Sequence, residues 1–335
     1  MSFPVDTEET VEKLPAPANF VHLRVHSEFS MIDGIVRIKD MIKTAAADHM
    51  PAIGLTDQSN MYALVKFYKA TQNAGIKPII GVDIWLENED EPELPFRLTL
   101  LAQNKVGYRH ITQIISQAYS HNQHDDKAVV RKEWLFEKSA GLIVLSGFRD
   151  GDIGQQVIKG NLEAAEGLLA EYLEQLDDRF YLELQRTGRE NEEIVLNASL
   201  VLASKFSVPV VATNDVRFIN SDDFEAHETR VCIGESYALA DKRRLKRYSD
   251  QQYFRSSGEM IELFQDIPSA IENTLEIAKR CSVEVELGKY YLPDFPIPEG
   301  LTEAEFFRKI SYEGLDERLL KILKPEQPDY EERKK

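Results

Sequence analysis

An alternation limits the possible folds of this chain more than any single residue does. Seven short segments rich in apolar and β-branched residues read as strands: 20–26, 52–57, 78–86, 97–102, 141–146, 180–185 and 208–213. Helix-length amphipathic stretches separate most of them. Residues 35–49 carry Ile35, Ile38, Met41, Ile42 and Ala45 at helical spacing, and 59–74, 106–120, 162–176 and 190–206 behave alike. Such alternation predicts parallel strands joined by crossover helices. Seven strands can close as a barrel or stay an open sheet, and periodicity leaves both open. Beyond residue 216 the strands stop, and 222–235 and 258–281 read as helices. Residues 287–300 carry three prolines and read as a linker. Thr302 with Glu305 then opens a helix over 302–323 as a capping box. The expected division is a flexible segment 1–18, an α/β domain over 19–285, and a linker with the truncated start of a further region over 286–335.

Charge narrows the function. Against 40 basic residues stand 57 acidic ones, a net charge of −17. Duplex affinity comes largely from cations that neutralise phosphates, so this segment is not expected to grip a nucleic acid backbone by itself. The one basic cluster, Lys242 to Arg247, reads as a solvated loop, with a local contact to nucleic acid or an acidic partner as the sharper alternative. No apolar run reaches membrane-span length. Cys232 and Cys281 lack metal-type spacing and fit a reducing cytoplasm.

Chemistry is expected where strands end, because ligands of parallel α/β folds sit at the carboxyl ends. Along the first strand, strict alternation places His22, Arg24 and His26 on one face and Val21, Leu23 and Val25 on the other. Two imidazoles on one face are half of a metal site. A guanidinium between them cannot be a ligand. The later ends offer Asp57 and Gln58, Asp83, Ser146, then Glu183, Gln185, Arg186 and Thr187, and finally Asp215 and Arg217. An Asp after a strand often caps the next helix. Carboxylates recurring at one rim are more informative, because their charge must be offset by metal ions or by cationic side chains.

The run from His22-Leu-Arg-Val-His26 to Asp33-Gly34 resembles the opening motif of the polymerase and histidinol phosphatase (PHP) domain. The form it resembles begins the alpha subunit of bacterial DNA polymerase III, a C-family replicative polymerase. Leu55-Thr-Asp57-Gln-Ser-Asn60, Gly75 to Gly81, Leu145-Ser-Gly147, Ala212-Thr-Asn-Asp215, Phe224-Glu-Ala-His227-Glu228 and Asn273 to Cys281 extend the resemblance over about residues 19 to 300. It implies a distorted (β/α)7 barrel of PHP type, followed by the helical start of a polymerase palm region. Intact members hold metal ions at the strand ends and hydrolyse phosphoesters with a metal hydroxide. Here the ligand pattern is broken. Arg24 stands for a histidine, Gln58 follows Asp57 where a histidine belongs, Asp83 replaces a glutamate, Thr187 replaces a histidine with Arg186 beside it, and Arg217 replaces the last histidine. His22, His26, Asp57, Asp83 and Asp215 remain as vestigial positions.

Charge balance then implies a metal-free remnant in which Arg24, Arg186 and Arg217 bond Asp57, Asp83 or Asp215. No catalytic residue and no cofactor are expected here. The resemblance implies a cytoplasmic scaffold that docks the epsilon proofreading exonuclease within the polymerase III core and holoenzyme, with no membrane partner. DNA contact and magnesium-dependent synthesis would belong to the downstream polymerase region. The alternative is a working phosphoesterase, a 3'-5' exonuclease or a pyrophosphatase, with manganese or zinc held by the remaining ligands.

Overall fold

The computed structural model describes residues 19–124, 127–290, 292, 295–323, 330 and 332. The expectation for residues 1–18 lies outside them. From the N-terminal side come α1 (Ile38–Ala47), β1 (Ala52–Leu55), α2 (Leu64–Asn73), β2 (Lys77–Leu86), β3 (Phe96–Ala102) and α3 (Lys105–His121). β4 (Gln123–His124) and β5 (Lys127–Val130) pair with each other, followed by α4 (Lys132–Glu137) and β6 (Leu142–Leu145). Next are α5 (Asp152–Ile158), α6 (Leu162–Leu176), β7 (Phe180–Leu184), α7 (Glu192–Phe206) and β8 (Val210–Ala212). The helices α8 (Phe224–Gly234), α9 (Ser257–Leu263), α10 (Pro268–Arg280) and α11 (Glu303–Ile322) complete the order.

Local chemistry explains several boundaries. Asn104 and Asn161 cap α3 and α6 through their side chains, accepting from otherwise unpaired backbone N–H groups. The helix expected over 258–281 is two helices. Pro268 has no N–H and occupies the first turn of α10, so the chain breaks before it. The chain divides into two compact units between Val285 and Glu286. In the second, α11 begins with the expected capping box of Thr302 and Glu305.

The sheet is mixed. β1 runs parallel to β2, β6 to β7 and β7 to β8, while β3 runs antiparallel to both its neighbours β2 and β6. The expectation of parallel strands therefore fails at β3. Only residues 87–95 separate β2 from β3, too few for a crossover helix. This reversal places the start of β3 at the rim where the parallel strands end.

Residues 20–26 close the sheet into a barrel. On one side His26 N donates to Val216 O at 2.9 Å and Val216 N to Arg24 O at 3.3 Å; on the other, Gly54 N donates to His22 O at 2.6 Å and Thr56 N to Val25 O at 2.9 Å. The open-sheet alternative is thereby excluded. Three residues of this segment advance against two of β1, so one residue is bulged. The bulge changes the side-chain alternation. Val21 and Leu23 join an inner apolar cluster with Ile79, Leu101, Ile143 and Val211, capped by Ile277 of α10 and by Cys281 just after it. Val25 belongs to the outer cluster between strands and helices. Arg24 and His26 thus face inward above Leu23, which strict alternation forbids.

Gly54 sits where this segment crosses β1, and a Cβ there would lie 2.5 Å from Leu23 O. Gly54→Ala should therefore destabilise the protein by about 2 kcal/mol or more, read by chemical denaturation. A change within experimental error would contradict the tight closure of the barrel.

Candidate functional site

Above the inner apolar cluster, the barrel mouth holds a buried ion-pair network. Arg24 lies at its centre. Its Nη2 donates to Asp83 Oδ2 at 2.7 Å, its Nη1 to Glu183 at 3.2 Å, and its Nε is 3.1 Å from Asp215 Oδ1. Arg217 Nη2 donates to Asp215 Oδ1 at 2.6 Å, and its Nη1 is 2.8 Å from Asp33 Oδ2. Arg97 Nη2 donates to Asp33 Oδ2 and Asp83 Oδ2, both at 2.9 Å. Arg189 Nη1 lies 3.1 Å from Asp150 and 3.5 Å from Asp215. Asp215 adopts φ 47°, a conformation that Asp tolerates better than most residues, and the backbone on both sides of it is fixed by barrel closure.

The carboxylates of Asp83, Asp215 and Asp33 are ionised because arginines outweigh burial. Burial alone would raise the Asp83 carboxyl, but Arg24 and Arg97 hold it well below the usual range. For Asp215 burial is likewise overcome, by Arg217, Arg24 and Arg189. For Asp33 it is overcome by Arg217 and Arg97. Arg24 stays charged against its own burial because Asp215, Asp83 and Glu183 surround it.

His26 lies inside this network as a neutral ring. Burial and then Arg217 lower its pKa. Nε2 donates to Asp83 Oδ2 at 2.9 Å and Nδ1 accepts from Arg217 Nη1. Gln58 also joins, donating to Asp83 O at 3.0 Å and accepting from Arg97.

Four expected positions behave differently. His22 points away from the mouth because of the bulge: its ring packs on Phe20 and Phe254, and Nε2 donates to Arg255 O at 2.8 Å. Asp57 pairs with no arginine among the described residues. The Ser27 and Ser30 hydroxyls donate to it at 2.9 and 2.7 Å, and burial raises its pKa. Arg186 leaves the mouth, binding Asp266 twice at 2.7 Å. Thr187 turns to Glu192, donating at 2.5 Å. The arginine that enters is Arg189. Arg97, Asp33 and Arg189 were not singled out from the sequence; a reversed β3 was the signal that would have found Arg97.

Among the described residues, the ligand atoms of His26, Asp83 and Asp215 lie within 4.8 Å of one another and form the one candidate metal group. They do not fit an ion as they stand. Asp83 Oδ2 accepts from Arg24, Arg97 and His26; Asp215 Oδ1 faces Arg24 and Arg217, and its Oδ2 accepts from Gln252 at 2.8 Å. Both His26 nitrogens are engaged. Asp83 Oδ1 alone in this group has no partner, and one free oxygen is no coordination sphere.

Two outcomes are expected. Arg24→Met leaves buried carboxylates unpaired and should cost about 3–5 kcal/mol. Arg186→Ala, which removes an exposed pair, should cost under about 1 kcal/mol. Equal losses in denaturant titrations would contradict the central placement of Arg24. The second outcome concerns pH. Burial holds His22 down at about 4, against the opposing hydrogen bond to Arg255. An unfolded histidine titrates near 6.5, so between these values the unfolded chain takes up a proton that the folded chain refuses. Stability falls as pH drops through that window. His22→Gln should remove on the order of 1–3 kcal/mol of the difference between pH 7 and pH 4.5.

The geometry can be set beside known proteins. The family model described as the PHP domain matches residues 22–187. The DNA polymerase III subunit alpha of Pseudomonas fluorescens is 54% identical over 317 residues, which cover 94% of this chain and 27% of that protein. The corresponding protein of Escherichia coli strain K12 is 48% identical over 320 residues, covering 94% and 28%. This chain therefore spans about a quarter of the length of those relatives. Among solved structures, a putative metal-dependent phosphoesterase from Bifidobacterium adolescentis is 12% identical, with a TM-score of 0.40 over 73% of this chain and 96% of that one. The kinship read from the ordered motifs is borne out: the chain belongs to the PHP domain family, in the form similar to DNA polymerase III alpha subunits.

Proposed function

We propose that this region is an arginine-balanced, metal-free PHP domain serving a DNA polymerase III alpha subunit as a scaffold and docking module. One observation carries the reading: guanidinium groups of Arg24, Arg97, Arg189 and Arg217 stand among the carboxylates that a metal cluster would need. A hydrolase of this kind requires a metal-bound hydroxide, and a site filled by fixed cations has nothing to lower the pKa of a water. The larger protein would perform magnesium-dependent DNA synthesis in the cytoplasm, with α11 at the start of its palm region. The resemblance supplies the epsilon proofreading exonuclease as the docked partner. Tethering it raises its effective concentration near the primer end. The net charge of −17 favours a protein partner over direct contact with DNA. No described helix is long and apolar enough to cross a membrane.

The second reading, a metal-dependent phosphoesterase, has one observation in its favour: the proximity of His26, Asp83 and Asp215. Calorimetric titration of the chelator-treated protein with manganese and zinc separates the two. The scaffold reading expects no saturable binding at neutral pH that depends on Asp83. Tight binding abolished by Asp83→Asn would overturn it and favour the phosphoesterase.

A further inference from the structure

The barrel mouth opens into a cleft of about 320 Å³ that the ion-pair network leaves open. Its walls come from β2, the connection 87–95, the start of β3, β5, the turn at Arg149 and the loop carrying Tyr248. Six lysine or arginine side chains line it against three carboxylates, in a chain whose net charge is −17. Such a local reversal of sign gathers anions against the field of the whole molecule.

Some of these cations already have carboxylates: Lys159 is 3.1 Å from Glu91 and Arg247 is 2.8 Å from Glu235. Three others keep donor capacity. Arg97 serves the network through Nη2, while its Nε is buried with no hydrogen-bond partner among the described residues. That side chain is 8% exposed. Lys127 Nζ meets the Glu93 carbonyl oxygen at 3.5 Å, with no carboxylate partner among the described residues. Arg149 Nε is 3.5 Å from Asp150, without a hydrogen bond, and Asp150 is shared with Arg189.

The aromatic lining narrows the ligand. Arg97 and Lys127 lie 5.0 and 5.3 Å from the Trp85 ring centroid, so that ring serves cations. Proteins that bind single strands offer aromatic faces on which bases stack. The Tyr248 ring likewise faces Arg217 at 5.8 Å and packs on His227, and beside these rings and Phe96 the cleft offers charge and N–H donors, in a volume suited to a small molecule.

We propose that the cleft binds a small phosphoryl anion, inorganic phosphate or pyrophosphate, held by Arg97, Lys127 and Arg149. Guanidinium and ammonium donors match the oxygens of such an anion, and no metal is involved. The proposal is independent of the scaffold reading, because its test is run with chelator present.

The test is calorimetric titration of the 335-residue chain with phosphate and, separately, with pyrophosphate at fixed ionic strength. Saturable binding of at least one is expected, and the titration that saturates identifies the anion. The double variant Lys127→Gln/Arg149→Gln should keep its unfolding midpoint and bind about tenfold more weakly. Where the double variant is less stable, Lys127→Gln alone carries the same comparison. No saturable binding, or equal affinity in the variants, would overturn the proposal. Tighter binding of a single-stranded oligonucleotide than of either free anion would also overturn it, by assigning the cleft to a strand backbone.

Discussion

Charge cannot be buried singly, and the rest of the barrel mouth depends on that constraint. Asp33, Asp83, Glu183 and Asp215 are all buried at one rim. Without nearby cations they would repel one another and take up protons. Arg24, Arg97, Arg189 and Arg217 supply the cations from four separate stretches of chain. Buried ion pairs add little net stability over apolar packing, but removing one partner leaves a stranded charge. The network therefore acts chiefly as a filter on register. Sliding the first strand, β2 or the segment after β8 by one residue would turn a charge into the outer apolar layer.

Below this polar layer the inner cluster of Leu23, Ile79, Leu101, Ile143 and Val211 fills the barrel, and α10 closes the far end. That apolar floor keeps water from the underside of the network, which strengthens both the ion pairing and the cost of an unpaired group. The open side is the mouth, where the cleft lined by Trp85, Lys127 and Arg149 meets solvent. The acidic charge of the chain as a whole and the cationic charge of this cleft thus occupy different places.

Much of this was legible in the sequence. Six of the seven expected strands, the central charges Arg24, Arg217, Asp83 and Asp215, and the capping box at Thr302 follow from periodicity, motif and local chemistry, whereas residues 20–26 make only isolated bridges and the strand β5 was not expected. What was not legible has specific causes. The direction of β3 depends on the nine-residue connection before it, and period-2 patterning is the same for either direction. Arg97 was missed for that reason. His22 was misplaced because a bulge reverses alternation without any change in composition. Arg186 and Arg189 are three residues apart, and only the path of the loop decides which one turns inward. Asp57 found hydroxyl partners in Ser27 and Ser30, whose role depends on the turn after the first strand.

The most direct test of the charge-balance claim is a double-mutant cycle on Arg24 and Asp83, whose side chains meet at 2.7 Å. Unfolding free energies of Arg24→Met, Asp83→Asn and the double variant would be compared with the parent chain. If each charge is buried for the other, the double variant loses less than the sum of the singles, by about 2 kcal/mol. Additive losses would mean that the two side chains are neighbours without being partners, and the arginines would no longer explain how the carboxylates are held.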